Sequence, residues 1–345
     1  MRLFLHIGYH KTGSSYIQTL FSTNRELLLD HRIFYPISKD DRKAKKGLIS
    51  PGNAIDLVHS FKKEDYKTAK MLLTNWVSHA KGHNCNALLL SSEQLFPQFA
   101  KNNGVIEFLN ECLANNILSD VSGLIFVRDP IEHIFSLYKH KGKNGAITNF
   151  SKWTEINYKT LEETGLFFDI IKSSPISWTC KKYTKNPSFL SEVVFTNWLN
   201  IPVPEIPANK YINVSLTLSE IGVMRELYKK RQYALITRLR KELLELPMDL
   251  KSNEVLLEQY YIQTINPWLA SQKKVIDQVN SNISRKEDQL SVEILDKKNN
   301  KSLSENLTFS PHQLSVILKQ LNSFPVYRTK LFDKVKKRLR KLANR

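Results

Sequence analysis

A chain of 345 residues, 41% of them hydrophobic, carries enough apolar material for a sizeable core, which excludes wholesale disorder. Lys and Arg outnumber Asp and Glu by 51 to 33, a formal charge of +18 that suits anionic partners or simply a lysine-rich soluble protein. The three cysteines, Cys85, Cys112 and Cys180, lie far apart with no C-x-x-C pair, so neither a zinc site nor a disulfide framework is indicated.

Met1 leads almost directly into Leu3–Ile7, a short apolar run of the kind that makes a buried parallel strand. With no signal peptide ahead of it and no long apolar span later, a cytoplasmic chain is expected. Gly8 and Gly13 bracket a loop, and Ser14 opens a helical pattern reaching Asp30, with Ile17, Leu20 and Phe21 on one face. Strand, glycine-bounded loop and helix make a phosphate cradle, because backbone amides and the helix dipole both point at an anion there. The spacing of Gly8 and Gly13 matches the start of a Walker A loop, but its ending does not: Ser14 follows Gly13 directly, and the loop's lysine is Lys11. A standard ATPase or GTPase needs its lysine and Mg²⁺-binding hydroxyl in the Walker order, so that class is disfavoured.

Arg32–Pro36 predicts a short strand, and Ser38–Pro51 a charged loop, either solvated or forming a basic lip beside a ligand. Asn53–Phe61 and Glu64–Lys81 predict helices, the second with a core stripe through Ala69, Leu72, Leu73, Trp76, Val77 and Ala80. Ala87–Leu90 is the next buried strand. It delivers Ser91, Ser92 and Glu93 at its carboxyl end, where open parallel sheets bind ligands, so Glu93 is a site candidate. A helix over Val105–Ile117 and a strand over Gly123–Val127 follow, then Arg128-Asp129-Pro130, with Ser136 eight residues beyond Arg128. Pro130 suits the first turn of a helix. Arg128 can fork two bonds onto a phosphate while the Ser136 hydroxyl donates another.

Trp153–Ile171, Pro187–Leu199 and Leu218–Leu244 have helical patterns, and Asp277–Leu307 reads as a polar, exposed excursion. Ser310 and Pro311 open a helix to about Gln320. In the tail, Leu331, Val335, Leu339 and Leu342 fall at helical spacing among lysines and arginines, an amphipathic helix that can lie on an anionic membrane or pack on the domain. The expected fold is α/β: one domain over residues 1–330 with a central parallel sheet flanked by helices. Residues 1–145 would be its ligand-binding core, 146–330 a mostly helical acceptor region and 331–345 a basic tail. Outside that tail the charge is dispersed, without the basic stripes and interleaved aromatics that nucleic-acid binding needs, so no nucleic-acid partner is expected.

Two of these stretches carry a resemblance. Gly8-Tyr-His10-Lys11-Thr12-Gly13-Ser14-Ser15 resembles the 5′-phosphosulfate loop of sulfotransferases that use 3′-phosphoadenylyl sulfate (PAPS). Arg-Asp-Pro with a serine eight residues beyond the arginine resembles their 3′-phosphate motif, and the order of loop, Ser-Ser-Glu strand and Arg-Asp-Pro also matches. The form His6-Ile-Gly8 running on to Gln18 is closest to bacterial members, many of which sulfate carbohydrates. The resemblance implies a P-loop-like fold and in-line sulfuryl transfer from PAPS to a glycan or glycolipid hydroxyl, without a metal. It places Gly8, His10, Lys11, Thr12, Gly13, Ser14 and Ser15 on the 5′-phosphosulfate, and Arg128 and Ser136 on the 3′-phosphate.

Lys11 is expected to neutralise charge on the breaking bond and Glu93 to act as general base, with His10 as rival base. His6 is expected to be structural and His133 a surface residue. Ile212–Leu216 resembles an Asn-x-Ser segment of bacterial members. The late Arg-Lys-Gly loop of aryl and steroid sulfotransferases has no counterpart, which argues against a phenol or steroid acceptor. Two other classes stay open: a divergent P-loop kinase requiring Mg²⁺, and a non-catalytic protein that holds an anionic ligand.

Overall fold

The computed structural model describes residues 1–48, 50–172, 174, 176–205, 215–291 and 305–323. In chain order the elements are β1 (Arg2–Ile7), α1 (Ser14–Thr23), α2 (Arg25–Asp30), β2 (Ile33–Phe34), α3 (Asp41–Lys45), α4 (Ile55–Lys62), α5 (Tyr66–Gly82) and β3 (Ala87–Ser92). Then come α6 (Leu95–Lys101), α7 (Gly104–Ala114), β4 (Asp120–Val127), α8 (Pro130–Gly142), α9 (Phe150–Asn157), α10 (Thr160–Lys172), β5 (Ser177–Lys182) and α11 (Pro187–Ser191), which runs into a π-helical stretch at Glu192–Leu199. The remainder is α12 (Leu218–Lys229), α13 (Tyr233–Glu245), α14 (Val255–Ser271), α15 (Lys273–Asn280) and α16 (Pro311–Ser323). Among the described residues no helix is long and apolar enough to cross a membrane.

The fold is α/β, built on a five-stranded, wholly parallel sheet in the order β2-β3-β1-β4-β5. The central strands are the apolar runs of the sequence. All of β3 and all but the first residue of β1 and of β4 are buried, as parallel strands covered on both faces require. One core cluster gathers Phe4 of β1, Leu89 of β3 and Phe126 of β4 with Ile17 and Phe21 of α1 and Phe195 and Trp198 of the π-helical stretch. β2 is short and pairs only with Ala87 and Leu88. Beyond that point the Asn53 side chain stands in for a neighbouring strand: its amide donates to Leu89 O at 3.0 Å and its carbonyl accepts from Ser91 N at 2.7 Å. Strand β3 is therefore held to its carboxyl end, where Glu93 follows.

The chain forms two compact units, one of residues 1–133, 159–212 and 272–292, the other of residues 134–158, 213–271 and 293–345. The first contains the whole sheet. The second is helical in its described parts and is knit by a buried cluster of Glu220, Lys251, Glu254 and Gln313. Three expected long helices are each two: Ser14–Asp30 breaks at Asn24, Trp153–Ile171 at Tyr158, and Leu218–Leu244 at Arg231, whose φ of 56° is left-handed. The charged stretch read as a loop at Ser38–Pro51 holds α3, pinned because Asp41 accepts two bonds from Arg25 at 2.6 and 3.2 Å. The polar excursion from Asp277 is not wholly exposed, since Ile283, Asp288 and Leu290 are buried. Residues 212–214 of the Asn-x-Ser segment and the tail at 331–345 lie outside the described residues.

Candidate functional site

The sheet order reverses around β1, and at such a switch point the carboxyl ends of adjacent strands open a crevice. Ile7 lies level with Ser92 of β3 and Ile125 of β4, so Gly8, Glu93 and Arg128 leave the sheet at one edge. Gly8 N donates to Ser92 O at 3.0 Å, which brings two of these strand ends into direct contact. A Cβ on Gly8 would lie 2.6 Å from Glu93 Cα and 2.6 Å from Ser14 Oγ, so only glycine lets these three elements meet.

In the loop after Gly8, three consecutive carbonyls are tied down. Tyr9 O accepts from Thr12 Oγ1 at 2.6 Å, His10 O from His133 Nε2–H at 2.7 Å, and Lys11 O from Arg128 Nη1–H at 3.0 Å. In a trans peptide the N–H points opposite the C=O, so the amides of Lys11 and Thr12 are turned away from His133 and Arg128. Lys11 (φ 61°) and Gly13 (φ 79°) are both left-handed, the kind of turn that curls successive amides into an anion-binding concavity. For Lys11 that conformation costs roughly 1–2 kcal/mol. The amides of Thr12, Gly13, Ser14 and Ser15 donate to nothing among the described residues. Among the described residues Ser14 Oγ is buried without a partner, and one turn along α1 so are both polar atoms of the Gln18 amide. Buried polar groups are normally paired, so three unpaired atoms under one helix N-terminus are unusual.

Beside the loop, His10 Nδ1 lies 2.6 Å from Glu93 Oε1, and the two side chains are 37% and 33% exposed. The two residues that sequence reasoning set up as rival bases are thus one hydrogen-bonded pair. His133, expected on the surface, is fully buried. Its ring packs 4.9 Å from that of Tyr9, whose hydroxyl accepts from Thr164 Oγ1 at 3.1 Å. Burial, aided by the nearby charges of Arg128, His10 and Lys11, holds the His133 pKa at about 3 despite the opposing hydrogen bond to His10 O. His6 is structural as expected: it is buried against Ser91 Oγ at 2.8 Å, and burial takes its pKa to about 3.

Arg128 is only 7% exposed. It donates from Nε and Nη2 to Glu132 Oε2 at 3.2 and 3.1 Å and lies over the Tyr183 ring, 5.1 Å from its centre. Asp129 turns to Lys182 Nζ at 2.7 Å and accepts from Ser291 N at 2.7 Å, so it braces the outer strand end. Gly8, His10, Lys11, Thr12, Gly13, Ser14, Glu93 and Arg128 are therefore brought together, although the Thr12 hydroxyl spends its proton inside the loop. Ser15, half-buried, opens α1 beside them, while Ser136 lies farther along α8 among the residues of the second unit. The residues missed were His133 and Tyr183. His133 stands four positions before Leu137 on α8, and that shared helical face was the available signal. No family model, no curated protein and no solved structure matches this chain.

Proposed function

We propose that the first unit holds the phosphosulfate of PAPS in the Gly8–Ser15 loop and catalyses transfer of the sulfuryl group to a hydroxyl of a carbohydrate or glycolipid. The observation that supports it is the set of unanswered donors, four loop amides and the buried Ser14 hydroxyl, next to a lysine and a histidine–carboxylate pair. This donor set suits a tetrahedral oxyanion, because it offers hydrogen bonds and the positive end of α1 without a carboxylate in the cradle. A phosphate on Arg128 would take the place of Glu132, whose side chain is half-exposed, while the bond to Lys11 O stays.

PAPS supplies a sulfur centre bonded through oxygen to a phosphate leaving group. The chain's part is positioning and charge. The loop amides hold the phosphosulfate, and Lys11 stabilises negative charge as it grows on the bridging oxygen. The His10–Glu93 pair takes the proton of the acceptor hydroxyl, whose oxygen bonds to sulfur while the S–O bond to phosphate breaks and its electron pair leaves with the phosphate. Glu93 and His10 then act as one base, the carboxylate facing the positive charge that forms on the imidazole.

Thermal unfolding with adenosine 3′,5′-bisphosphate, ADP and ATP–Mg²⁺ tests the binding half. A ligand at a hundredfold excess over its Kd stabilises by about 2.7 kcal/mol, and only the bisphosphate should do so. Transfer of ³⁵S from labelled PAPS to a panel of glycans and glycolipids tests the chemistry. Equal stabilisation by ADP, or activity lost in EDTA and restored by Mg²⁺, would count against the sulfotransferase and favour a kinase.

A further inference from the structure

His133 has no part in the chemistry just described, yet it is a fully buried polar group set directly against the loop. We infer that His133 is a positioning residue: its Nε2–H holds the His10 carbonyl so that the loop's amides face the bound oxyanion and the His10 ring faces Glu93. This rests on the loop holding an oxyanion, not on sulfuryl transfer in particular.

His133 and Arg128 grip neighbouring carbonyls, those of His10 and Lys11, at 2.7 and 3.0 Å. A peptide can turn over about its two flanking bonds. If the peptide between His10 and Lys11 did so, its carbonyl oxygen would turn to the side of the loop where the amides of Thr12 to Ser15 gather, and would repel the anion they should attract. Nothing in the loop's own composition forbids that flip, since Lys11 already occupies the left-handed region at some cost. A fixed donor on the far side does forbid it. The ring is suited to the task because burial and the surrounding cations keep it neutral, with a pKa of about 3, so it carries one N–H at any working pH. With that proton on Nε2 the ring packs on Tyr9, which leaves little room for the donor to swing away. The same bond fixes the backbone of His10, whose Nδ1 meets Glu93 Oε1 at 2.6 Å.

The test is calorimetric titration of the full chain with adenosine 3′,5′-bisphosphate and with inorganic pyrophosphate. His133→Phe keeps the ring and removes the donor, whereas His133→Gln returns an amide N–H to the position of Nε2. His133→Phe, measured where it is folded, should weaken both ligands about tenfold to a hundredfold, and His133→Gln should return affinity to within about threefold of wild type. Wild-type affinity in His133→Phe, or no recovery in His133→Gln, overturns the inference. Wild type that binds pyrophosphate but not the bisphosphate removes the PAPS reading and leaves the role of His133 standing; binding of neither anion removes both. Should His133→Phe fail to fold, ¹⁵N NMR of the wild-type imidazole decides. A neutral ring protonated on Nε2, with that proton slow to exchange, supports the pin, and a proton on Nδ1 overturns it.

Discussion

Each unit of the molecule buries a cluster of polar side chains, and the two clusters are built on opposite rules. In the second unit Glu220, wholly buried, is answered on every side. Lys251 Nζ lies 3.2 Å from one carboxylate oxygen, which also accepts from Thr217 N at 2.8 Å, and Gln313 Nε2 donates to the other at 2.8 Å. Glu254 accepts from the Leu218 and Ser219 amides at 2.6 and 2.7 Å and so closes the start of α12. Gln313 Oε1 accepts from Ser252 and Ser310 amides at 2.9 Å each. In the first unit the carbonyls of Tyr9, His10 and Lys11 are answered as well, but the amides of Thr12, Gly13, Ser14 and Ser15 and the Ser14 hydroxyl have no partner among the described residues. Burying an unpaired donor is costly, so a fold keeps a group of them together only where an outside partner completes the set. The Glu220 cluster has the marks of scaffold, and a group of unanswered donors gathered at one loop has the marks of a candidate site.

If the first unit is the sulfotransferase proposed above, the largest effects are expected where the site meets its chemistry. Lys11→Ala should lower kcat by about 10²–10³, the scale of one lost oxyanion donor, with a smaller loss of nucleotide affinity. Glu93→Gln and His10→Gln should each lower kcat by roughly 10²–10⁴. Because the two touch at 2.6 Å, the double variant should be no slower than the slower single one, as befits residues acting as a unit. Additive losses would dissolve the pair into two independent residues. Both side chains are about one-third exposed, so thermal unfolding of these variants should stay close to wild type.

The scaffold cluster should respond the other way. Lys251→Met strands the Glu220 carboxylate without its cation, and removing one partner of a buried pair costs about 3–5 kcal/mol. Chemical denaturation should show that loss, while affinity for adenosine 3′,5′-bisphosphate, measured where the protein is folded, should not change. Lys251→Met combined with Glu220→Leu should recover part of the stability. A fall in nucleotide affinity at full folding would break the distinction between the clusters.

The same contrast explains what could be read in the sequence. The first, third and fourth strands were legible because strands buried on both faces must be apolar runs, and the Gly8–Gly13 loop because its backbone turn constrains residue type. Strand β5 was not: Ser177-Trp-Thr-Cys-Lys-Lys182 has no apolar run, because an edge strand is only half covered. The pairing of His10 with Glu93 could not be read either, since 83 residues separate them and only the register of β1 on β3 brings them together. His133 was misjudged for a related reason. A histidine among Glu132, Lys139 and His140 has surface composition, and its burial follows from where α8 leaves the sheet.

Acid should weaken the first unit next. His6 and His133 are buried neutral, with pKa values of about 3 against 6.5 when unfolded, so the unfolded chain binds more protons between those values. Their stabilising effect is fully present above 6.5 and is lost as the pH falls toward 3. Going from pH 7.5 to pH 5 should cost about 2 kcal/mol per histidine. His6→Gln should remove about half of that slope in urea titrations across this range. An unaltered slope would mean that other groups carry the acid sensitivity.

The smallest expected effect separates the two clusters most cleanly. Ser14→Ala deletes a buried hydroxyl that has no partner among the described residues. At an answered position such as Thr217, whose hydroxyl accepts from Glu220 N at 3.2 Å to cap α12, removal to alanine should destabilise by about 1 kcal/mol. At Ser14 nothing is broken and a desolvated polar group is relieved, so stability should hold or rise slightly. Affinity for adenosine 3′,5′-bisphosphate should nevertheless fall about threefold to tenfold, the net worth of one ordinary hydrogen bond after its competition with water. A variant that loses stability while binding is unchanged would mean the hydroxyl has a structural partner such as a buried water, and Ser14 would then belong with the scaffold. Binding loss at undiminished stability is the signature of a residue kept for a ligand, because folding alone gives no reason to retain it.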